Sequence, residues 1–223
     1  PNGEIALDPR RVVLGLLGGI GSGKSHVAGR LAVLGPARVV DADAVAHEAL
    51  AALAADGTLA AALGAEFVRE GRPDVEAIGA RAFADEAFLQ GLERLVHPHC
   101  HTAIREAVEA HRAGDGPALL VLDAALLLEV GLDRMCDALW YVEVPDDLRL
   151  ERAAGRGLSA AEIGRREAFQ TPRARKRARA DRIIHNDVDA EALDRQILAG
   201  LEQLGVRPPG SPAIDAAAED QGR

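Results

Sequence analysis

Residues 18–25 of the chain are Gly18-Gly19-Ile20-Gly21-Ser22-Gly23-Lys24-Ser25. The run matches the pattern G-x-x-x-x-G-K-[ST], the P-loop, in which a glycine-rich turn surrounds phosphate groups. Glycine permits the backbone conformations that aim successive N–H groups at one anion. In such a loop the lysine reaches the β- and γ-phosphates, and the serine hydroxyl is available to Mg²⁺. The run therefore predicts a binding site for a nucleoside triphosphate.

The lysine of this run stands out in the composition of the chain. There are 24 arginines and two lysines, Lys24 and Lys176. A P-loop needs a compact point charge, which an ammonium supplies and a planar guanidinium does not. The presence of lysine at position 24 in an arginine-rich chain therefore supports the motif.

The residues on either side have the pattern that a P-loop requires. Residues 11–17 form a short apolar run typical of a buried strand. Apolar residues then recur at helical spacing between positions 27 and 34, and Gly35-Pro36 predicts the end of that helix. The dinucleotide pattern G-x-G-x-x-G does not fit, because its third glycine would fall on Lys24.

Composition limits the classes of function. The 223 residues predict one domain, 48% of them are apolar, and the net charge of −9 argues against general nucleic-acid binding. The basic run 173–179 lacks interleaved aromatic residues, so we expect a solvated helix there. Two cysteines do not form a disulfide framework, and we find neither a membrane-spanning run nor a signal peptide. We expect a cytoplasmic protein with no nucleic-acid or membrane partner, and a monomer.

Four further strands are predicted, over residues 37–40, 118–122, 139–144 and 182–184. Because helical segments separate them, the expected fold is α/β: a three-layer P-loop kinase fold with a five-stranded parallel sheet and helices on both faces. Ligands of such sheets bind beyond the carboxyl ends of the strands. The polar residues at those ends are the P-loop, Asp41, Asp43, Asp123 and Asn186.

The segments between the strands divide the chain. We predict helices over 44–54, 58–63, 74–83, 86–96 and 98–112, and two more over 146–156 and 159–179, the last opened by a capping box at Ser159. The predicted kinase domain spans 11–205, with its core at 11–49, 115–150 and 176–205. An inserted helical subdomain for the acceptor spans 50–114, and a helical lid spans 151–175. Residues 1–10 and 206–223 are expected to be flexible tails.

With these motifs in order, the chain from residue 11 to residue 204 resembles the dephospho-CoA kinase family. The family's G-[LIV]-T-G-G-I-G-S-G-K-S-T is matched by residues 15–26, and its D-A-D by residues 41–43. Four later motifs are matched by His97-Pro98, by residues 125–129, by Arg152, Arg156, Arg166 and Gln170, and by residues 180–186. The chain departs from the family pattern at Leu17, His26, Ala125 and Leu128.

The resemblance implies transfer of the γ-phosphoryl group of ATP to the ribose 3′-hydroxyl of dephospho-CoA, with ATP and Mg²⁺ as cofactors. The implied catalytic residues are Lys24, Asp43 as general base, Arg152 and Arg156. The ATP-binding residues would be Gly19, Ile20, Gly21, Ser22, Gly23, Lys24, Ser25, His26, Arg156 and Asn186, the last beside the adenine. The acceptor would be bound by Asp41, Asp43, His97, Leu127, Glu129, Arg166 and Gln170. Ser25 and Asp123 would hold Mg²⁺; Asp41 could replace Asp123 there or act as a helix N-cap.

Other functions remain as alternatives. The nearest is a P-loop kinase for another small acceptor, such as a nucleoside monophosphate or shikimate. A GTP-binding switch would carry N-K-x-D, which the chain lacks, and a silent ATP-binding module would have lost Lys24 or the carboxylates. The run from His97 to His101 has metal-binding residue types. If Pro98 opens a helix, residues two apart diverge around it, so we expect no metal there.

Overall fold

The computed structural model describes residues 11–114 and 116–207. Its central sheet has five parallel strands in the order β2-β5-β1-β6-β7. These strands are β1 (Val12–Gly18), β2 (Ala37–Asp41), β5 (Leu119–Asp123), β6 (Ala138–Glu143) and β7 (Arg182–His185). The short pair β3 (Val68–Arg69) and β4 (Arg72–Pro73) forms a separate hairpin, which the sequence did not predict. All five predicted strands are confirmed.

Helices connect the strands of the sheet. They are α1 (Lys24–Leu34), α2 (Ala42–Ala55), α3 (Thr58–Leu63), α4 (Val75–Ala84), α5 (Glu86–Ala113), α6 (Asp146–Gly155), α7 (Ala160–Ala168), α8 (Arg173–Arg179) and α9 (Ala190–Gln203). No helix among the described residues is both long enough and apolar enough to cross a membrane.

Both faces of the sheet are buried, which makes the fold three-layered. Successive side chains of β1 point to opposite faces. Leu14 and Leu16 pack with residues of α1 and α9, while Val13 and Leu17 pack with residues of α5 and of the segment after β5. The fold class predicted from the sequence, an α/β P-loop kinase fold, is confirmed.

The long helix α5 differs from the prediction of two helices separated at residue 97. Pro98 lies inside a single 28-residue helix. A proline in a helix interior costs about 3 kcal/mol, but buried residues on both sides of it, Val96, Ile104 and Val108, hold the helix together. Val96 belongs to the core of the inserted helices, whereas Ile104 and Val108 pack on the sheet. One helix therefore serves both the inserted subdomain and the sheet, and the predicted boundary at residue 114 falls just after its end.

The predicted helix 159–179 is also wrong, because the chain forms α7 and α8 with a break between them. Pro172 follows Thr171 at this break and becomes the N-cap of α8. Proline disfavours a helical conformation in the residue before it. The capping box at Ser159, in contrast, is present: the hydroxyl accepts from the Glu162 N–H, and the Glu162 carboxylate accepts from the Ser159 N–H.

The C-terminal tail was predicted to start at residue 206, but Val206 packs at the end of α9. Gly205 adopts φ +69°, and the Val206 N–H donates to the carbonyl of Leu201 at 2.9 Å. This is the hydrogen bond of a Schellman motif. Val206 is buried against the core, so it belongs to the folded domain. The remaining tail predictions, 1–10 and 208–223, lie outside the described residues.

Candidate active site

The P-loop connects β1 to α1, and two of its glycines are required by the packing around them. Gly21 has φ +80° and Gly23 has φ +85°, conformations that side chains rarely adopt. A Cβ on Gly21 would overlap the carbonyl oxygen of Arg149, and one on Gly23 would overlap the side-chain amide of Asn186. The loop therefore packs closely against Arg149 on α6 and against Asn186, which follows β7.

Two side chains hold alternate carbonyl groups of the loop. The Arg149 Nη1 donates to the carbonyl of Ile20 at 3.0 Å, and the Asn186 Nδ2 donates to the carbonyl of Ser22 at 2.8 Å. Asn186 is 6% exposed. Its amide is buried against the loop, and the expectation that Asn186 lies beside the adenine stays a prediction.

Lys24 opens α1 and lies among several charges. Burial lowers the pKa of its ammonium, while the negative charge of Asp123 and, more weakly, that of Asp43 raise it. The positive charges of Lys176 and Arg156 lower this pKa further. The Lys24 ammonium takes part in none of the hydrogen bonds and ion pairs found among the described residues. It is thus a cation at the carboxyl end of the sheet whose donors are available to a ligand.

Asp43 lies in the first turn of α2, with one side open to solvent. Burial of its carboxylate by the surrounding protein raises its pKa, and the charges of Asp41 and Asp123 raise it further. The charge of Lys24 opposes this shift. The charges of Asp43 and Lys24 thus act on each other, and a shared role in one site stays a prediction.

The two other carboxylates at this edge differ in their surroundings. Asp41 is the N-cap of α2, and its Oδ1 accepts from the backbone N–H groups of Asp43 at 2.9 Å and Ala44 at 3.3 Å. Of the alternatives that the sequence left open, the N-cap is the one observed. Asp123 ends β5 opposite Asp41 and is 7% exposed. Its carboxylate accepts no hydrogen bond within residues 11–114 and 116–207.

The two arginines expected at the lid differ in their contacts. Arg152 is partly buried, and its Nη2 donates to the carbonyl of Asn186 at 3.0 Å. Arg156 is exposed at the end of α6, and its positive charge contributes to lowering the pKa of Lys24. Ser25 and His26 are exposed in the first turn of α1, beside the P-loop.

Three of the residues expected to bind the acceptor make contacts within the protein. Leu127 is 1% exposed and packs in the core under the sheet. Glu129 accepts from the backbone N–H of Thr171 and lies 3.4 Å from the Lys176 ammonium. Gln170 accepts from the same ammonium at 3.0 Å. Glu129, Gln170 and Lys176 thus form a partly buried polar cluster, and the contacts expected between these residues and the acceptor stay a prediction.

The remaining expected acceptor residues are near the inserted helices. Arg166 is exposed on α7, and its guanidinium lies 5.3 Å from the centre of the Phe83 ring on α4. His97 is partly buried on α5. The neighbouring His99 contacts the carbonyl of Leu95 through Nδ1 at 3.1 Å. Among the described residues, no three His, Cys, Asp or Glu side chains are grouped so that they could hold a metal ion.

Two residues at the site were not recognised as functional from the sequence. Arg149 is 4% exposed and contacts the P-loop, and Lys176 is 2% exposed at the centre of the polar cluster. Arg149 lies three residues before Arg152, which puts both on one helix face, and Lys176 is the second of two lysines. The sequence shows this spacing and the rarity of lysine, but it does not show which groups Arg149 and Lys176 contact.

The basic run 173–179 is not a free cationic surface. Arg177 pairs with Glu143 at 2.8 Å and Arg179 with Asp133 at 2.7 Å. Arg173 pairs with Asp146. Because acidic side chains neutralise these arginines and Lys176 is buried, the prediction of a solvated helix holds only in part.

Known proteins resemble the chain over most of its length. A family model described as dephospho-CoA kinase matches residues 12–192. A dephospho-CoA kinase from Anaeromyxobacter dehalogenans (strain 2CP-C) is 42% identical over 210 residues, which are 91% of this chain and 98% of that protein. The crystal structure of TT1252 from Thermus thermophilus aligns with a TM-score of 0.72 at 33% identity, covering 87% of this chain and 98% of that one. A dephospho-CoA kinase from Campylobacter jejuni, with a TM-score of 0.60 at 19% identity over 87% of this chain and 98% of that one, shares the fold.

Proposed function

The chain belongs to the dephospho-CoA kinase family and transfers phosphate from ATP to dephospho-CoA, and we propose that this transfer takes place between Lys24, Asp43 and Asp123. The observation that carries the proposal is the position of the Lys24 ammonium. The negative charges of Asp123 and Asp43 both act on this ammonium, which lies at the end of a P-loop with its donors unused among the described residues. Phosphoryl transfer depends mainly on positioning and on charge neutralisation, which these groups supply.

The P-loop and α1 bind the triphosphate in this proposal. The backbone N–H groups of the loop and the positive end of α1 attract the phosphates. The Lys24 ammonium adds a full charge at the β- and γ-phosphates. The exposed Arg156 guanidinium provides a further cation for the transferred group. Arg152 uses one nitrogen to hold the Asn186 carbonyl and keeps its other donors for the phosphates.

Asp43 acts as the general base in this proposal. It accepts the proton of the ribose 3′-hydroxyl of dephospho-CoA while that oxygen attacks the γ-phosphorus of ATP, and ADP leaves with the electron pair of the broken bond. A base works best when its pKa is close to the working pH. The upward shift of the Asp43 pKa, caused by burial and by neighbouring carboxylates, is in this direction. Positioned bases typically contribute ~10²–10⁴-fold in rate.

Mg²⁺ fits the oxygens available at this edge. Mg²⁺ usually retains several waters and is held by one or two protein oxygens together with the phosphates of the substrate. The residues that would hold it are Ser25, through its hydroxyl, and Asp123, whose carboxylate has no hydrogen-bond donor among the described residues. The ion would neutralise charge on the phosphates as they react.

The active unit in this proposal is a monomer. Cys100 and Cys136 are free thiols. Burial and the nearby carboxylates raise the pKa of Cys136 to about 12, so this thiol stays protonated. Free thiols suit a reducing compartment, and we place the protein in the cytoplasm on that ground.

An acceptor panel tests the assignment. Purified protein with Mg·ATP is offered dephospho-CoA, AMP, adenosine and shikimate, and products are identified by mass and by ³¹P NMR. Phosphorylation of dephospho-CoA at the 3′-hydroxyl is expected, and preference for another acceptor would contradict it. Lys24→Ala should lower turnover by orders of magnitude and leave the circular dichroism spectrum unchanged. Near-normal turnover in this variant would overturn the proposed role of the P-loop.

A further inference from the structure

We propose that Arg149 is a positioning residue for phosphate binding, which orients the P-loop through the Ile20 carbonyl and links this orientation to the lid through Glu167. The inference rests on the proposed function of the P-loop and names a residue that the sequence motif does not include. Arg149 lies on α6, outside the P-loop, and its side chain is 5% exposed.

Arg149 controls the orientation of the peptide between Ile20 and Gly21. The Arg149 Nη1 donates to the Ile20 carbonyl oxygen at 3.0 Å. In a trans peptide the C=O and the following N–H point in opposite directions. Holding the Ile20 oxygen toward α6 therefore aims the Gly21 N–H away from α6, to the side of the loop where phosphates bind.

Asn186 orients a second peptide of the loop, two residues after the one that Arg149 holds. Its amide holds the Ser22 carbonyl at 2.8 Å, which aims the Gly23 N–H away from Asn186. The two side chains together fix alternate peptides before any ligand is bound. An anion site that is already formed loses less free energy to ordering when the ligand binds.

The Nη1 nitrogen of Arg149 makes a second hydrogen bond, to the lid. Arg149 Nη1 also donates to Glu167 Oε1 at 2.6 Å, and Glu167 lies in the last turn of the lid helix α7. A guanidinium Nη carries two hydrogens. One is directed to the P-loop and the other to the lid, so a single nitrogen connects the two segments.

Arginine is suited to this position for a reason of shape. Its planar fork offers five donors in fixed directions, and here they serve the Ile20 carbonyl, Glu167 and, through Nε at 3.3 Å, Asp146. Lysine could reach one or two of these acceptors from a single point, and glutamine could supply one donor group without charge.

Binding of inorganic triphosphate and of ADP, measured by calorimetry, provides the direct test. Arg149→Gln should weaken both by about 10-fold to 100-fold, since a hydrogen bond from a charged group is lost. The KM for ATP should rise by a similar factor, and the KM for dephospho-CoA should stay within about two-fold. Arg149→Lys should recover part of the affinity. Arg195→Gln, which removes an exposed pair with Glu191 on α9, is the matched control and should bind triphosphate normally.

The link to the lid is tested with Glu167→Gln, an isosteric change at a partly exposed position. It should weaken triphosphate binding in the same direction but less than Arg149→Gln. Because Glu167 acts through Arg149, the double variant should bind no more weakly than Arg149→Gln alone. Additive losses would overturn the link, and wild-type affinity in Arg149→Gln and Arg149→Lys would overturn the role of Arg149.

Lys24→Ala in the same assay separates this inference from the proposed function. If Lys24→Ala loses triphosphate binding while the Arg149 variants keep it, the P-loop assignment stands and the positioning role fails. If Lys24→Ala binds triphosphate normally, the proposed function of the loop itself fails.

Discussion

The side-chain amide of Asn186 donates a 2.8 Å hydrogen bond to the carbonyl oxygen of Ser22. This contact joins the residue after the edge strand β7 to the centre of the P-loop, which follows the central strand β1. Both partners are buried, so water cannot replace the bond if it is lost. The loop of the proposed nucleotide site therefore depends on a residue 164 positions away in the chain.

Asn186→Ala should accordingly weaken nucleotide binding without unfolding the protein. The buried Ser22 carbonyl loses its donor, at a cost of about 1–3 kcal/mol, or roughly 5-fold to 150-fold in the affinity for ADP. Calorimetric titration with ADP measures the change. Gln196→Ala is the matched control, because Gln196 bonds both backbone groups of the adjacent His185 and none of the P-loop. Equal losses in the two variants would mean that Asn186 acts only by holding the strand.

Asp43→Asn should separate activity from stability. The pKa of Asp43 is raised in the folded state by burial and by the charges of Asp41 and Asp123. The native protein therefore holds this proton more tightly than the unfolded chain, and ionisation at neutral pH destabilises the fold. Asparagine removes that charge. We expect a higher Tm at pH 7 together with a loss of turnover of about 10²–10⁴-fold. A variant that kept its turnover would exclude Asp43 as the base.

The pH profile offers an independent check on the same residue. A general base must be ionised, so kcat/KM should fall as pH decreases through the raised pKa of Asp43. Asp41→Asn removes one of the charges that raise this pKa but keeps an oxygen for the N-cap. The acid limb of the profile should therefore move to lower pH in Asp41→Asn. An unchanged limb would indicate that another group controls it.

The sequence predicted features that depend on neighbouring residues in the chain. The five strands, the P-loop and the Ser159 capping box follow from local patterns, and the structure contains them. The prediction that Asp43 lies beside the loop rests on the rule that parallel strands end at a common edge. This rule holds for any residue at a strand end, whatever its later partners.

The features that could not be predicted from the sequence depend on residues that are distant along the chain. The sequence predicted one helix ending at residue 96 and another starting at Pro98, but Val96 and Ile104, which are buried on either side of Pro98, belong to one continuous helix. Glu129 and Gln170 have polar side chains that could meet a substrate, and nothing local shows that Lys176 lies between them. Nothing in the spacing of Arg149 identifies the Ile20 carbonyl as its acceptor.

Lys176 and Glu129 should stabilise the fold as a pair. Their atoms are 3.4 Å apart, with 2% of the Lys176 side chain and 16% of the Glu129 side chain exposed. Burial raises the pKa of Glu129, but hydrogen bonds from Thr171 and from its own N–H, and the charge of Lys176, outweigh it and lower the pKa. Lys176→Met leaves that carboxylate without its cation and should cost about 3–5 kcal/mol of unfolding free energy.

Urea denaturation of a double-mutant cycle measures this pairing. Lys176→Met combined with Glu129→Gln should recover at least about 1 kcal/mol relative to the sum of the single changes. The matched pair is Arg105 and Glu109, which lie on the exposed face of α5 at 3.1 Å. Its coupling should be below about 0.5 kcal/mol. Additive losses at Lys176 and Glu129 would show that the lysine acts through Ala125 and Gln170 alone.

Two glycines within helices should differ in their response to alanine. Alanine favours a helix interior by about 0.5–1 kcal/mol over glycine. At Gly29 on α1 a Cβ would meet no atom within 4 Å, so Gly29→Ala should stabilise the protein by that amount. At Gly200 on α9 a Cβ would overlap the buried ring of Trp140, which is 1% exposed. Forced overlap in a packed core costs about 1–3 kcal/mol, so Gly200→Ala should be neutral to destabilising by about 2 kcal/mol. Urea denaturation of both variants checks this, and equal stabilisation would mean that α9 can move away from the sheet at little cost.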